Sequence, residues 1–352
     1  MLGTEYNWLV TVDRQGNGLP RASLGSSGLI TLAVAVFCFL CVSLRAAPAS
    51  SPPGEAAWGL ADMDGIIEGI ALHPVTSEAF FSDVHNRCIW TRGTSGGHAV
   101  MKKFSADSDG LLGVFALKFD HEGRTLWASS SALPEMNGYT TADQGRAFLA
   151  AYDLPTRQLR RIYELPADGR KHLLGDFILD RAGSIFATDS LAPIIWRLAA
   201  GADRLEKWLE FADFKSLQGI ALSADQRCFF VTDYARGIWR IDLATRAAVL
   251  LAAPAGAELR GLDGLYVVPG GLVAVQNGTK THRILRIDLD EGGAPVRVRE
   301  LLSGHPAMTD LSLGQVVQGR LHFIADSGWL LYANPAATPA PRRVTILNTP
   351  TG

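Results

Sequence analysis

The sequence lacks several features that nucleic-acid, nucleotide and thiolate-metal sites require. Its 352 residues carry 33 Lys and Arg against 35 Asp and Glu, so there is no basic excess for binding nucleic acid. It has four cysteines, and their single C-x-x-C, Cys38 to Cys41, lies in an apolar stretch. No P-loop pattern occurs, and no GxGxxG follows a leading strand. We therefore expect a small-molecule partner and no nucleic acid.

Charged residues are also absent from residues 22–44, and residues 29–44 are strongly apolar. Arg14 and Arg21 precede this stretch, and small residues at 46–49 and a Pro/Ser-rich segment at 50–54 follow it. The pattern is typical of a secretory signal, and an uncleaved signal anchor is the alternative. We expect residues 1–54 to be leader and linker. Residues 55–352 then lie outside the cytoplasm, periplasmic or secreted, touching a membrane only if residues 29–44 remain attached.

The rest of the chain repeats one short phrase six times. Each copy reads as an apolar strand, a tight turn and a second apolar strand that usually ends in Asp. The copies begin at Glu68, Phe115, Gly175, Gln218, Asp263 and Asp310, at spacings of 47, 60, 43, 45 and 47 residues. Such a period, with two further strand-like runs per unit, predicts an all-β, six-bladed β-propeller with four antiparallel strands per blade.

Three details accompany this prediction. Residues 132–146, an insertion in the second unit, are either a surface loop or a lid. Residues 56–63 are expected to add an edge strand that helps to close the ring, while residues 342–347 form the outer strand of the last blade. Cys88 and Cys228 fall in the first and fourth units, which face each other across a six-unit ring, so we expect no disulfide between them.

Polar residues converge at one opening of this predicted ring. The start of an innermost strand and the end of the next strand lie on the same face, because the two run antiparallel. The residues that end the second strands are Asp83, Ser129, Asp189, Asp233, Gln276 and Asp326. The carboxylates of this set lie at one rim together with those of Glu68, Asp263 and Asp310. A hard divalent cation would relieve the repulsion between them.

A structural role for some of these residues stays open. An Asp that ends the second strand can accept hydrogen bonds from the next turn, and its recurrence in four blades is typical of architecture. The residues that start the first strands vary between blades, as a site added to a symmetric scaffold should. Glu68, Gln218 and Asp263 are therefore the stronger functional candidates. His172 and His305, which precede first strands, are either general bases or solvated loop residues.

Three segments, residues 217–243, 175–190 and 262–278, resemble the senescence-marker-protein/gluconolactonase/luciferin-regenerating-enzyme family. The resemblance covers roughly residues 60–335. It implies a divalent metal at the channel mouth, held by a Glu, two Asn and an Asp, the last also acting as acid or base. More distant paraoxonase-like propellers add an Asp that opens the fifth blade. The corresponding positions here are Glu68, Gly175 (with Asp176 after it), Gln218, Asp233 and Asp263.

These observations predict a divalent-metal-dependent, gluconolactonase-like hydrolase of lactones or esters. The expected catalytic residues are Asp233 and Glu68, and the expected metal ligands are Glu68, Gln218, Asp233 and Asp263. The residues expected to contact substrate or support the ligands are Asp176, Asp310, His172 and His305. Ca²⁺ is the expected ion, with Mg²⁺, Mn²⁺ or Zn²⁺ as alternatives. The alternative functions are a non-catalytic binding or scaffold propeller with a degraded metal site, and a metal-free condensing enzyme resembling strictosidine synthase.

Overall fold

The computed structural model describes residues 55–95, 98–334 and 338–352. These residues belong to the second of two compact units, Pro52–Gly352. The first unit, Met1–Ser51, contains the expected signal or anchor and lies outside the described residues, so the leader stays a prediction. Within the described ranges, no helix is both long enough and apolar enough to span a bilayer.

Short strands make up most of the described chain. The strands of its first half are β1 (Glu55–Met63), β2 (Ile67–Leu72), β3 (Ala79–Asp83), β4 (Cys88–Ser95), β5 (His98–Lys103), β6 (Gly113–Phe119), β7 (Thr125–Ser131), β8 (Ala147–Asp153), β9 (Gln158–Glu164), β10 (Leu174–Leu179), β11 (Ile185–Asp189) and β12 (Ile194–Leu198). The strands of its second half are β13 (Glu206–Glu210), β14 (Leu217–Leu222), β15 (Cys228–Asp233), β16 (Gly237–Asp242), β17 (Ala248–Leu250), β18 (Leu262–Val268), β19 (Gly271–Gln276), β20 (Arg283–Leu289), β21 (Pro295–Ser303), β22 (Gly314–Val317), β23 (Arg320–Ile324) and β24 (Arg342–Pro350). Short 3₁₀ turns lie at Asp107–Asp109, Thr141–Asp143 and Trp329–Leu331.

The described strands form six antiparallel sheets of four strands each, which confirms the six-bladed β-propeller. Five blades consist of four consecutive strands, from β2–β5 to β18–β21, ordered from the channel outward. Large apolar side chains fill the spaces between blades: Phe186 of the third blade, for example, packs against Trp208 and against Phe229 of the fourth. Burying one face of each sheet against the next is what makes the blades stable only as a ring.

The sixth blade is built from both ends of the described chain. Its order is β22, β23, β24 and then β1, which pairs with β24 from Glu55↔Asn348 to Met63↔Arg342. The edge strand expected at 56–63 is therefore present, and it closes the ring. The strand expected at 342–347 is present too, but it is the third strand of its blade, because the N-terminal strand occupies the outermost place.

The innermost strand carries a β-bulge at the same place in five blades. The register shifts lie between residues 67/70, 114/117, 174/177, 217/220 and 262/265. Each bulge contains the residue that opens the repeat, followed by a second residue; the five pairs are Glu68-Gly69, Phe115-Ala116, Gly175-Asp176, Gln218-Gly219 and Asp263-Gly264. Bulges of this kind re-aim side chains, and here they set which side chains enter the channel.

In the first and fourth blades the second bulge residue is glycine because neighbouring backbone passes close to it. A Cβ on Gly69 would lie 2.3 Å from the carbonyl oxygen of Phe115, and one on Gly219 would lie 2.4 Å from that of Asp263. The third blade departs from the pattern, since its first bulge residue is Gly175 and its second is Asp176.

The insertion at 132–146 packs onto the first blade. Leu133 and Met136 are buried, and the amide of Asn137 donates to the carbonyl oxygen of His85 at 2.8 Å. His85 follows β3, so the insertion lies on the face where the innermost strands begin. Its role as a lid stays a prediction. Cys88 and Cys228 are both buried and both free, as expected.

Candidate functional site

Glu68 is a buried carboxyl at the channel end where the innermost strands begin. Its side chain is 7 % exposed, and its Oε2 accepts a hydrogen bond from Trp329 Nε1 at 2.5 Å. Burial, followed by the negative charge of Asp263, raises the pKa of Glu68 to about 8; the charge of Asp310 adds to the effect. Glu68 therefore gains and loses its proton near neutral pH.

Asp263 is the second carboxyl of this group, and it is partly buried. Its Oδ2 accepts a hydrogen bond from Asn277 Nδ2 at 2.9 Å, and Asn277 Oδ1 accepts one from the hydroxyl of Tyr234 at 3.0 Å. Burial raises the pKa of Asp263 to about 7, and the charges of Asp176 and Asp310 contribute in the same direction. Glu68 and Asp263 thus form a pair of interacting carboxyls.

Asp310 links this pair to the turn that covers Glu68. Burial raises its pKa, although backbone N–H groups of residues 328–330 donate to it. The amide of Gly328 donates to Asp310 Oδ2 at 3.1 Å. Asp310 opens the sixth repeat, but it precedes the innermost strand of that blade, because β22 begins only at Gly314. Its carboxylate therefore holds Trp329 over Glu68.

Asp176 joins the acidic group from the third blade. It is 1 % exposed, and its Oδ1 lies 3.0 Å from the ammonium of Lys118. Its other oxygen, Oδ2, is buried without a hydrogen-bond partner. The hydroxyl of Tyr266 accepts a hydrogen bond from the backbone amide of Gly314 at 2.5 Å. Burial, followed by the charge of Asp176, raises the pKa of Tyr266 far above its usual value. Tyr266 and Lys118 thus fill the channel below the carboxyls.

Gln218 lies in space that Gly175 leaves open. Its Oε1 is 3.5 Å from the position that a Cβ on Gly175 would take, and 3.3 Å from Ser190 Oγ. Its Nε2 donates to Ser216 Oγ at 3.1 Å. The amide that the resemblance assigned to metal binding is therefore engaged with two serine hydroxyls.

Asp233 is fully buried, and its contacts are those of a bracing residue. Its carboxylate accepts from the amides of Lys215, Ser216 and Ala235 at 2.8, 3.3 and 3.2 Å, and from Trp239 Nε1 at 3.3 Å. The same arrangement recurs in two other blades, where Trp90 and Trp196 donate to Asp83 and Asp189 at 3.0 Å. These contacts support the structural alternative for the Asp that ends the second strand.

The two histidines lie in local networks of their own. His172 is 2 % exposed, with Nδ1 2.6 Å from Asp189 Oδ2 and Nε2 2.9 Å from Asp168 Oδ1. Burial lowers the pKa of His172, but hydrogen bonds to both carboxylates, together with their charges, outweigh this and raise it. His305 Nδ1 accepts from the amide of Ala307 at 3.1 Å and so closes a turn.

The structure thus brings Glu68, Asp263, Asp310 and Asp176 within reach of one another's charge. The four predicted metal ligands do not form one open coordination site, because both carboxylate oxygens of Asp233 already accept hydrogen bonds from backbone amides. In residues 55–95, 98–334 and 338–352, no three His, Cys, Asp or Glu side chains are grouped so that they could hold a metal ion. As arranged, this donor set does not fit the divalent ion, and metal binding stays a prediction.

Sequence reasoning did not identify Trp329, Tyr266 and Lys118 as parts of the site. Tyr266 lies three residues beyond Asp263 on β18, so the alternation of side chains along a bulged strand was a usable signal. Lys118 stands at the same offset after Phe115, so it carried the same signal, whereas Trp329 carried none because it reaches Glu68 from another blade.

Known proteins share this fold at low sequence identity. No family model and no curated protein matches the sequence. Among solved structures, a gluconolactonase from Xanthomonas campestris matches with a TM-score of 0.56 and 16% identity, over 86% of this chain and 96% of that one. A PQQ-bound aldose sugar dehydrogenase from Streptomyces coelicolor matches with a TM-score of 0.56 and 13% identity, over 86% and 99%.

A chain of a nidogen/laminin complex matches with a TM-score of 0.52 and 16% identity, over 71% of this chain and 84% of that one. The gluconolactonase match agrees with the resemblance seen in the sequence. At these identities the three matches show the propeller fold, which different proteins use for different purposes.

Proposed function

We propose that this protein hydrolyses lactones or esters with the carboxyl pair Glu68 and Asp263 as its acid and base. The observation that carries the proposal is the pair itself: a buried Glu68 and a partly buried Asp263, two interacting carboxyls whose pKa values are raised to about 8 and about 7. Pairs of carboxyls driven to neutral pKa values are how enzymes obtain both an acid and a base at pH 7. The gluconolactonase with the same fold makes a lactone the first substrate class to test.

The pair can perform both proton transfers of lactone hydrolysis. Near neutral pH, ionised Asp263 accepts a proton from a water molecule as the water oxygen bonds to the carbonyl carbon. Protonated Glu68 gives its proton to the ring oxygen as the bond between that oxygen and the carbonyl carbon breaks. One water is consumed, the product is a hydroxy acid, and passage of one proton from Asp263 to Glu68 restores the pair. The Trp329 indole, which donates to Glu68, fixes the orientation of the acid.

The experiment is a hydrolysis panel of aliphatic lactones and aryl esters, with Glu68→Gln, Asp263→Asn and the exposed control Glu122→Gln. We expect wild type and Glu122→Gln to hydrolyse at least one substrate. Each of the two site variants should lose activity by 10²-fold or more, the range typical of a lost acid or base. The panel is run with EDTA and with added Ca²⁺, Mg²⁺, Mn²⁺ or Zn²⁺, which also tests the metal dependence predicted from the sequence. Wild-type turnover that Glu68→Gln and Asp263→Asn retain would reject the proposal.

A second candidate is a binding propeller without catalysis. It is favoured by Asp233 and Gln218, whose polar atoms are engaged within the protein, and by the low exposure of Glu68. The nidogen/laminin complex includes the same fold in a protein assembly. Absence of turnover by wild type across the whole panel, under every metal condition, would favour this candidate.

A further inference from the structure

The central channel has a second mouth, opposite the carboxyl pair. A cavity of about 450 Å³ lies there, lined by the later residues of the innermost strand of all six blades. Ligand sites in proteins usually have volumes of 300–1,000 Å³, with apolar walls and a few polar groups. Glu68 and Asp263 lie where the innermost strands begin, and this cavity lies towards the ends of the same strands.

The walls of the cavity are mainly aliphatic. Ile178, Leu222, Val267 and Val316 line it with partly exposed apolar side chains. Ile70, Leu117, Ile220 and Leu265 also border the cavity, but they are 1–2 % exposed and pack in the cores between blades. These walls suit the apolar body of a small molecule, because its transfer from water into the cavity is favourable by about 25 cal/mol per Å² of buried apolar surface.

Most polar groups at this mouth already have partners. Gln315 Oε1 accepts from the amide of Leu72 at 2.6 Å, and Asp120 accepts from the amides of Arg124 and Thr125 at 2.8 and 3.0 Å. His121 Nε2 lies 2.8 Å from the carbonyl oxygen of Asp180 and donates to it. These groups fix the loops around the mouth and offer little to a ligand.

Lys118 is different. Its side chain is 22 % exposed, and one N–H points to Asp176 Oδ1 at 3.0 Å. An ammonium has three N–H donors, so two remain for a ligand. Lys118 is also the only Lys or Arg among the cavity-lining side chains in the described part of the chain. Hydrogen bonds from an ammonium to a carboxylate are charge-assisted and stronger than those to a neutral acceptor.

The charges at the two mouths favour opposite ends for an anion. Ionised Asp263 and Asp310 disfavour an anion at the first mouth, whereas the second mouth offers the Lys118 ammonium, and the carboxylates there, Asp176 and Asp120, are engaged by Lys118 and by backbone amides. We propose that this second mouth is a binding site for a small monocarboxylate with an apolar body, its head group on Lys118 and its body against the aliphatic walls. The site is separate from the proposed hydrolytic pair and does not depend on its activity.

Calorimetric titration of the protein with octanoate and with octan-1-ol tests the charge requirement on the unaltered protein. The two probes share an apolar chain and differ in the head group. We expect octanoate to bind with a dissociation constant below 1 mM and at least tenfold more tightly than octan-1-ol. Equal affinities, or no octanoate binding up to 10 mM, would overturn the proposal.

Four variants then locate the site. Lys118→Met should weaken octanoate binding at least tenfold, while the exposed control Lys102→Met should not change it. Ile178→Trp, which fills the cavity from the third blade and keeps Lys118 paired with Asp176, should abolish binding even if Lys118→Met folds poorly. Octanoate binding that survives Ile178→Trp would place the site elsewhere and contradict the proposal, and so would binding lost equally in Glu68→Gln.

Discussion

At the scale of single residues, the molecule contains two kinds of buried or partly buried carboxyl. Asp83, Asp189 and Asp233 each accept an indole N–H and at least one backbone amide within the blade, although burial still raises the pKa of Asp83. Burial, together with the charges of neighbouring carboxyls, raises the pKa values of Glu68 and Asp263 to about 8 and about 7, and each accepts few hydrogen bonds that would offset this. Hydrogen bonds to the charged form favour it, whereas burial beside like charges disfavours it. The first kind braces the fold, and the second kind titrates near neutral pH.

Asp233→Asn separates these roles. In the variant, the side-chain NH₂ would face backbone N–H donors that in wild type donate to a carboxylate oxygen. We therefore expect the free energy of unfolding to fall by about 2 kcal/mol, as when a buried polar group loses its partner. Urea unfolding of wild type, Asp233→Asn and the exposed control Asp225→Asn measures this. An unchanged midpoint for Asp233→Asn together with lost hydrolysis would return Asp233 to the catalytic role that the resemblance implies.

Some residues of the candidate site could be predicted from the sequence and others could not, for a physical reason. Glu68 and Asp263 could be predicted because aligning the repeats superposes residues that start equivalent strands. Trp329 could not, since it contacts Glu68 from 261 residues away, and that proximity exists only once the ring is closed. Asp233 was ambiguous in the sequence, because an Asp at that position serves equally well as a hydrogen-bond acceptor and as a ligand.

At the scale of elements, the bulge in the innermost strands decides which side chains enter the channel. Its first residue is a candidate site residue in three blades, Glu68, Gln218 and Asp263, and its second is glycine in the first and fourth blades where the neighbouring backbone passes against it. The third blade reverses this order, which places Asp176 next to Lys118 and leaves Gln218 over Gly175. The repeats predicted the strands, but a bulge shifts the register and cannot be seen in the alternation of apolar residues alone.

Gly219→Ala tests the tight approach at the bulge. The new Cβ would lie 2.4 Å from the carbonyl oxygen of Asp263, so backbone must shift, and we expect a loss of about 1–3 kcal/mol in the free energy of unfolding. Gly93→Ala is the matched control, because its Cβ would meet only Lys102 Cε at 3.7 Å. Equal stability of the two variants would mean that the bulge geometry is not what keeps residue 219 small.

At the scale of the whole molecule, ring closure creates both ends of the channel. The strand at 55–63 completes the sixth blade beside β24, which brings the turn at Trp329–Leu331 and the first blade together over Glu68. One end then holds titrating carboxyls, and the other holds an aliphatic cavity with one ammonium. The sixfold repeat predicted the ring and the convergence of acidic residues at one rim. The chemical difference between the two ends depends on single substitutions within the repeat, and the period does not reveal it.

The pH dependence of hydrolysis tests the central claim, that Glu68 and Asp263 act as a neutral-pH acid–base pair. The measurement is kcat/KM for the best lactone between pH 5 and 10, in EDTA, for wild type and Glu68→Gln. Asp263 must be ionised and Glu68 protonated, so activity should rise as pH increases through about 7 and fall as it increases through about 8, giving a bell. Glu68→Gln should lose this activity. A rate that stays flat across this range, or that survives in Glu68→Gln, would contradict the account.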